Sequence, residues 1–109
     1  MKTKLLFVCS RNLRRSPTAE TIFRDDPRYE ARSAGTETGA RIKLTAGHVG
    51  WADWIICMEK KHAARVEERF SAELADKPLV TLRIPDDYEF MDDALLDHLR
   101  TELSAHLEL

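Results

Sequence analysis

No apolar run in this sequence approaches the ~20 residues that a membrane-spanning helix needs. The apolar stretch near the N-terminus covers only Leu5 to Cys9, which is too short for the apolar core of a signal peptide. We therefore expect a cytoplasmic protein that makes no membrane contact.

Glycine and proline are scarce, at 4 residues each, while 43% of the residues are hydrophobic and 33% are charged. This composition excludes collagen-like repeats and argues against disorder and coiled coil. A length of 109 residues, without linkers or internal repeats, suits one domain with a modest core. We therefore assign residues 1–109 to a single domain.

Cysteine is nearly absent. Cys9 and Cys57 end or lie within apolar runs, and their spacing matches neither a disulfide framework nor a metal knuckle. Four histidines are scattered along the chain, at His48, His62, His98 and His106, and none has the H-x-x-x-H spacing of a zinc site. The sequence therefore predicts neither a metal site nor a cofactor.

A basic excess is also missing, because 17 Lys and Arg face 19 Asp and Glu for a net charge of −2. This balance argues against nucleic-acid binding. The charges are unevenly distributed: residues 1–54 hold ten basic and six acidic residues, whereas residues 55–109 hold seven and thirteen. The basic first half points to an anion site near the N-terminus, and the acidic tail is interpreted as a solvated helix face.

Apolar patterning predicts alternating strands and helices. Strands are predicted at residues 4–9, 29–34, 54–58 and 79–82. Helices are predicted from a Ser16 cap and Pro17 to before Pro27, over 59–70 and over 91–107, while residues 40–49 fit a short helix only loosely. This order predicts an α/β fold, a doubly wound four-stranded parallel sheet with helices on both faces. Ligands bind such sheets at the carboxyl ends of the strands, so the loop after the first strand is the first candidate site.

That loop carries Cys9 at the strand end and Arg15 six residues later. Backbone N–H groups in a tight strand-to-helix loop can form an anion cradle, and the helix N-terminus adds partial positive charge. Arg15 can bind two phosphate oxygens through its planar guanidinium. The same donors favour a Cys9 thiolate placed for in-line attack on phosphorus, with Ser16 hydrogen-bonded to the sulfur. The alternative is a small core cysteine and a C-x5-R spacing that arose by chance.

Residues 6–20, LFVCSRNLRRSPTAE, resemble the signature of the low-molecular-weight protein tyrosine phosphatases, V-C-x-G-N-x-x-R-S-P-x-A-E. Three later blocks extend the resemblance in the right order. Residues 32–36 look like the end of the family's second strand, and residues 52–59 look like its third strand and the acidic residue that follows. Residues 84–88, IPDDY, look like its late V-P-D-P-Y loop.

The resemblance implies a phosphate-binding loop with named roles. Cys9 matches the nucleophile, Arg15 the phosphate-binding arginine and Ser16 the serine that hydrogen-bonds the thiolate. Asn12 matches an asparagine that shapes the loop in a left-handed backbone conformation, which Asn tolerates. The residues expected to bind the substrate are Ser10, Arg11, Asn12, Leu13, Arg14, Ser16 and Tyr88.

Asp86 falls on the family's general acid, which protonates the leaving oxygen and later activates water. Without the family resemblance, Asp86 is interpreted as a turn-forming aspartate. Asp87 stands where the family has proline and is the rival for the acid role. Tyr88 is assigned to the pocket wall, with an exposed loop position as its alternative, and Glu59 is assigned a structural role at a helix start.

Two departures from the family pattern bear on the substrate. Arg11 replaces the usual glycine and adds bulk and charge beside the phosphate. The segment between Gly35 and Trp51 is much shorter than in typical members, and that region ordinarily walls an aryl phosphate. The sequence therefore predicts an open site, in which the substrate need not be phosphotyrosine.

The expected function is a cysteine-dependent phosphomonoesterase, acting through a phosphocysteine intermediate on a phosphorylated protein or a small phosphomonoester. A monomer is expected. Three alternatives stay open: a non-catalytic oxyanion- or phosphopeptide-binding protein, an arsenate reductase, and a phosphatase for proline-directed phosphoserine or phosphometabolites. The arsenate reductases of the family relay oxidation through further cysteines, and only Cys57 is present for that purpose.

Overall fold

The computed structural model describes residues 1–109, which form four strands and four helices in strict alternation. The strands are β1 (Thr3–Cys9), β2 (Tyr29–Gly35), β3 (Trp54–Cys57) and β4 (Leu79–Thr81). The helices are α1 (Arg15–Ile22), α2 (Ala46–Trp51), α3 (Lys60–Leu74) and α4 (Asp93–Leu103). All strand pairs are parallel and the order in the sheet is β2-β1-β3-β4. The predicted α/β fold with a four-stranded parallel sheet is confirmed.

The central strands are apolar on both sides because helices cover both faces of the sheet. Alternate residues of β1 point to opposite faces, so Phe7 and Cys9 join one core cluster while Leu6 and Val8 join the other. Cys57 belongs to the second cluster. The two cysteines therefore lie on opposite faces of the sheet, although their strands are neighbours.

Two helices differ in extent from the sequence prediction. Helix α3 ends at Leu74 rather than at residue 70. Phe70, with φ −131° and ψ 35°, is not helical and forms a kink at the predicted end, and Leu74 beyond it joins Ala63 and Val66 in the same core cluster. Helix α4 is shorter than the predicted 91–107, since Met91 has a positive φ of 63° and Asp92 caps the helix by accepting from the Ala94 N–H. The ambiguous segment 40–49 contains the start of α2, which is capped by the side chain of Thr45.

The start of α1 corrects the prediction that Ser16 caps the helix and Pro17 is its first residue. The helix begins at Arg15, and its cap position, Arg14, makes no capping side-chain hydrogen bond. Ser16 is already helical and turns its hydroxyl back toward Cys9. A contact with the Cys9 sulfur thus takes the place of the expected cap.

None of the four helices has both the length and the apolar character needed to cross a bilayer. In this fold, a site is positioned at the edge of the sheet where the strands end. Cys9, the last residue of β1, pairs with Gly35, the last residue of β2. The loops that follow both strands therefore meet at one place.

Candidate functional site

The Cys9–Ser16 loop joins β1 to α1 and divides its side chains between two environments. Four of them are at most 3% exposed: Cys9, Asn12, Arg15 and Ser16. Arg11, Leu13 and Arg14 point outward and are exposed. The buried set surrounds the sulfur, and the exposed set forms a rim above it.

The Cys9 sulfur lies among hydrogen-bond donors. The Asn12 N–H donates to Sγ at 3.2 Å, and the Ser16 Oγ lies 2.9 Å from Sγ. Asn12 has a φ of 59°, the left-handed conformation that the sequence predicted, and its Nδ2 donates to the Ser16 Oγ at 2.8 Å. Because the Ser16 oxygen accepts from Asn12, its own proton is free to point at the sulfur. This arrangement suits a thiolate, which accepts hydrogen bonds better than a thiol does.

Several backbone N–H groups of the loop are left free for a ligand. Those of Ser10, Arg11, Leu13 and Arg14 donate to no acceptor within the chain. They lie on either side of Asn12, whose own N–H donates to the Cys9 sulfur, and they end at the N-terminus of α1. Successive free N–H groups beside a helix N-terminus form an anion-binding concavity. The loop therefore has the form of an oxyanion cradle with a sulfur at its floor.

Arg15 is 2% exposed, and only one of its guanidinium nitrogens donates hydrogen bonds. Its Nη1 donates to the Glu59 carboxylate at 2.5 Å and to the Ile84 carbonyl at 2.8 Å. The Nε–Nη2 edge donates no hydrogen bond, and Nε lies 3.7 Å from the Asp86 carboxylate. That free edge matches two oxygens of a phosphate. Arg15 is thus held in place by one nitrogen while two stay available.

The carboxylate of Glu59 compensates the positive charge of the buried Arg15. Burial acts to raise the pKa of Glu59, but the hydrogen bond and charge of Arg15, aided by Lys61 and His62, hold that pKa below its ordinary value. Glu59 is also the cap residue of α3, as the structural role assigned to it from the sequence requires. Its side chain therefore links the start of a helix to the candidate phosphate ligand.

His62 supports the loop from below and was missed as a site residue by the sequence analysis. The Glu59 N–H donates to its Nδ1 at 3.0 Å, so the proton of the neutral ring is on Nε2, which lies 2.9 Å from the Ser10 Oγ. Burial, followed by the charge of Arg15, lowers the pKa of His62 to about 4. His62 is therefore a neutral anchor at pH 7. The i, i+3 spacing of Glu59 and His62 is a signal for their contact at the helix start, but not for the contact of His62 with Ser10.

The segment after β2 holds the loop from the outside. Thr36, Glu37 and Arg41 donate backbone hydrogen bonds to the carbonyls of Cys9, Ser10 and Arg11, at 2.9, 2.9 and 3.0 Å. A Cβ atom at Gly35 would lie 2.6 Å from the Ser10 carbonyl oxygen, so only glycine permits this approach.

The loop opens into a cleft of about 310 Å³. Its lining residues are Cys9, Ser10, Arg11, Leu13, Arg14, Arg15, Glu37, Lys61 and Asp86. Glu37 is the one contribution from residues 36–51, and it lies 3.4 Å from Arg11. Most of the sequence-assigned residues are therefore brought together here.

Three of the assigned substrate-binding residues do not line the cleft. Asn12 and Ser16 lie beneath the sulfur. The Tyr88 hydroxyl lies 3.0 Å from His98 Nδ1, and the Tyr88 ring packs against the core next to α4. Of the two rival acids, Asp86 reaches the cleft, whereas Asp87 is exposed outside it.

Cys57 does not line the cleft, although it pairs in the sheet with Val8, the neighbour of Cys9. It is fully buried on the opposite face of the sheet, and burial, with a smaller contribution from the charge of Glu67, raises its pKa to about 12. Cys9 is the one thiol that lines the cleft.

No family model and no curated protein matches the sequence. Solved structures do match it. The tyrosine phosphatase Wzb from Escherichia coli K30, in complex with phosphate, is 22% identical, with 96% of both chains covered and a TM-score of 0.75. A low molecular weight phosphotyrosine phosphatase from Vibrio cholerae O395 is 25% identical, covers 94% of this chain and 95% of its own, and has a TM-score of 0.72.

The YwlE arginine phosphatase from Geobacillus stearothermophilus is 21% identical, with 98% and 99% of the chains covered and a TM-score of 0.67. The chain therefore matches the low-molecular-weight protein tyrosine phosphatases in structure over nearly its full length. The resemblance in fold is confirmed. These structural neighbours are phosphatases, and they include enzymes named for tyrosine and for arginine.

Proposed function

We propose that this chain is a cysteine-dependent phosphomonoesterase that acts through a phosphocysteine intermediate. The observation that carries the proposal is the surrounding of Cys9. Its sulfur accepts the Asn12 N–H at 3.2 Å beneath a ring of free N–H groups, with the open edge of Arg15 beside it. An oxyanion in this cradle would have its central atom facing the sulfur.

In the first step, the free N–H groups and the Nε–Nη2 edge of Arg15 bind the non-bridging oxygens of a phosphate ester. The negative charge of these oxygens repels an anionic nucleophile, and the donors offset that charge. The same donors stabilise the negative charge that spreads over the oxygens during transfer. The Cys9 thiolate then attacks phosphorus in line. An S–P bond forms, the P–O ester bond breaks, and Asp86 donates its proton to the leaving oxygen.

In the second step, water attacks the phosphorus of the phosphocysteine. The Asp86 carboxylate takes a proton from that water, the S–P bond breaks, and the electron pair returns to sulfur as a thiolate. The Ser16 hydroxyl, 2.9 Å from Sγ, stabilises this leaving group. Release of inorganic phosphate leaves a Cys9 thiolate and a protonated Asp86, which is the state from which the first step began, and no external oxidant or reductant takes part.

The structure disfavours the arsenate reductase alternative, because a relay of oxidation needs a second thiol near the first. Cys57 is buried on the other face of the sheet, and its raised pKa opposes formation of a thiolate. The non-catalytic alternative predicts phosphate binding without turnover. The presence of Asp86 in the cleft supports catalysis instead, since binding alone gains nothing from a carboxylate next to a phosphate.

The test is turnover of p-nitrophenyl phosphate in the presence of a metal chelator, with Cys9→Ser and Cys57→Ala as a matched pair of thiol variants. The proposal predicts activity in the wild type and in Cys57→Ala, and none in Cys9→Ser. Phosphoarginine is measured in parallel, because an arginine phosphatase is among the structural neighbours. Phosphate binding without release of nitrophenol or arginine would reject catalysis, and turnover of phosphoarginine alone would reject the ester as the substrate.

A further inference from the structure

A second groove of about 360 Å³ adjoins the cleft on the side of α1. Leu13 lines both, so a molecule seated over Cys9 can continue into the groove without a break. Phe90 and Pro17 also line the groove. None of these three side chains takes part in the proposed chemistry.

Exposed apolar side chains concentrate around this groove. Away from the chain ends, the exposed large hydrophobic residues are Leu13, Ile42, Phe90 and Met91. Leu13 and Phe90, at 50% and 53% exposure, line the groove, and Met91 adjoins Phe90. A cluster of exposed apolar side chains beside a polar cleft is typical of an interaction site.

The turn that carries Phe90 is anchored to α1. Met91 adopts a positive φ of 63°, which a residue with a side chain rarely adopts, and its N–H donates to the Thr18 Oγ1 at 3.0 Å. Thr18 in turn donates to the Arg14 carbonyl at 2.6 Å. Phe90 is therefore fixed relative to the loop that carries Cys9, although it is half exposed.

The groove is also positively charged. Arg24 is exposed, and its side chain makes no ion pair or hydrogen bond. Arg41 donates from Nε to the Asn12 carbonyl, which leaves its charge unpaired by any carboxylate. The one acidic residue of the groove, Glu20, accepts a hydrogen bond from the Ser33 hydroxyl. An occupant with an apolar side chain and a carboxylate would complement this surface.

We propose that the groove binds the polypeptide next to a phosphorylated side chain, with an apolar residue between Leu13 and Phe90 and an acidic residue near Arg24. The inference rests on the proposed function for the phosphate end. Apart from Leu13, the residues that line the groove lie outside the catalytic cleft.

The experiment compares two phosphotyrosine nonapeptides with p-nitrophenyl phosphate. One peptide has Leu and Glu flanking the phosphotyrosine, and the other has Gly and Ser at the same places. The groove variants are Phe90→Ala, with Phe90→Leu as its conservative partner, and Arg24→Gln. Arg65→Gln is the charge-matched control, since Arg65 is exposed on α3. Circular dichroism melts of all variants establish that they fold.

For the wild type we expect a kcat/KM about tenfold higher on the Leu/Glu peptide than on the Gly/Ser peptide, as loss of one buried apolar contact predicts. Phe90→Ala removes most of the preference for the Leu/Glu peptide. Arg24→Gln lowers that preference by about threefold. Phe90→Leu and Arg65→Gln preserve it, and p-nitrophenyl phosphate turnover stays within twofold throughout. Equal loss on peptide and aryl phosphate, or no peptide preference in the wild type, overturns the proposal.

Binding of the same peptides to Cys9→Ser, followed by fluorescence anisotropy, separates this proposal from the proposed function. Wild-type protein that fails to turn over p-nitrophenyl phosphate contradicts the proposed chemistry. A Leu/Glu peptide that binds Cys9→Ser no more tightly than the Gly/Ser peptide contradicts the groove. Self-association that Phe90→Ala abolishes would assign the groove to a second copy of this chain and also overturn the proposal.

Discussion

The Cys9–Ser16 loop and the 84–90 loop line the same cleft but are held in opposite ways. The first is fixed by backbone bonds from residues 36–41 and by buried side chains below it. The second is tied down at Ile84 and at Tyr88, and residues 85–87 between them make no hydrogen bond to the rest of the chain. Asp86 is 58% exposed, whereas the buried residues of the first loop reach at most 3%.

The two loops have different roles in the proposed mechanism, and how firmly each loop is held fits its role. An oxyanion cradle is effective when its donors are already in place before the charge develops. A group that gives a proton to the leaving oxygen and then takes one from water must serve two positions of the reacting atoms. A fixed cradle and a lightly held acid are therefore the expected pairing.

Replacing the nucleophile should give the largest effect and should leave the fixed loop intact. We expect Cys9→Ser to lower turnover by at least about 10⁴-fold, while phosphate or vanadate still binds to the free N–H groups. Kinetics with p-nitrophenyl phosphate and calorimetric titration with vanadate measure the two parts. Substantial residual turnover would contradict covalent catalysis by Cys9.

Labelling with iodoacetate gives the control on the second thiol. Cys9 should react before Cys57, and phosphate should protect it, because the raised pKa of Cys57 opposes its reaction. Preferential labelling of Cys57 would mean that the reactive thiol is misassigned.

Arg15 belongs to the Cys9–Ser16 loop and also contacts Ile84 and Asp86 of the 84–90 loop, so its replacement should affect both loops. Arg15→Lys keeps the charge but loses the free Nε–Nη2 edge and the bond to the Ile84 carbonyl. We expect kcat/KM to fall by roughly 10²–10³-fold. Arg14→Lys, on the exposed rim, should change it by less than about threefold. The reverse result would place the phosphate-binding arginine one residue earlier.

The acid loop is tested by the pair Asp86→Asn and Asp87→Asn. Asp86→Asn should slow turnover by roughly 10²–10⁴-fold, because general acid catalysis contributes that much. The loss should shrink for aryl phosphates with very acidic leaving groups, which need no proton. Asp87→Asn, outside the cleft, should cost far less. A large, leaving-group-dependent loss in Asp87→Asn instead would show that the register taken from the family resemblance is wrong.

The two loops also differ in how far the sequence could predict them. The Cys9–Ser16 loop is encoded by contiguous residues, so the apolar strand, the C-x5-R spacing and the Ser-Pro pair were enough to locate it. Its supports lie far away in sequence: Glu59 is 44 residues from Arg15, and His62 is 52 residues from Ser10. Spacing along the chain carries no signal for such contacts, which arise only when β1 and β3 become neighbours in the sheet.

The 84–90 loop was predicted less well for the same reason. Its motif placed Asp86 and Asp87 side by side without a way to choose between them, and the choice depends on which side chain faces the cleft. Tyr88 was assigned to the pocket wall, but its partner is His98 on α4, which no local pattern identifies. The helix start was misplaced by two residues because Ser16 fits a capping pattern as well as it fits a contact with sulfur.

The anchor of the fixed loop should respond to pH. His62 is neutral in the fold with a pKa of about 4, whereas in the unfolded chain it takes up a proton below about 6.5. The free energy of unfolding should therefore fall as the pH drops from about 6.5 to about 4, by roughly 2–4 kcal/mol in total from this group. Glu59, whose pKa is lowered, destabilises the fold only at more acidic pH, where it gains a proton.

Urea unfolding at pH 7.5 and pH 5.0 measures the effect, with His62→Gln as the test and His106→Gln as an exposed control. The pH-dependent loss of stability should be much reduced in His62→Gln and preserved in His106→Gln. Equal pH dependence in both variants would show that another group controls acid stability.

The smallest effect is expected at the far anchor of the acid loop. Tyr88→Phe removes the hydroxyl that lies 3.0 Å from His98 Nδ1 and leaves the ring packed on the core. The lost hydrogen bond should lower the free energy of unfolding by about 1 kcal/mol. The KM for p-nitrophenyl phosphate should stay within about twofold, because Tyr88 does not line the cleft. A several-fold rise in KM with unchanged stability would mean that Tyr88 leaves His98 and closes over the bound phosphate ester. In that case the 84–90 loop moves during binding, while the Cys9–Ser16 loop stays fixed.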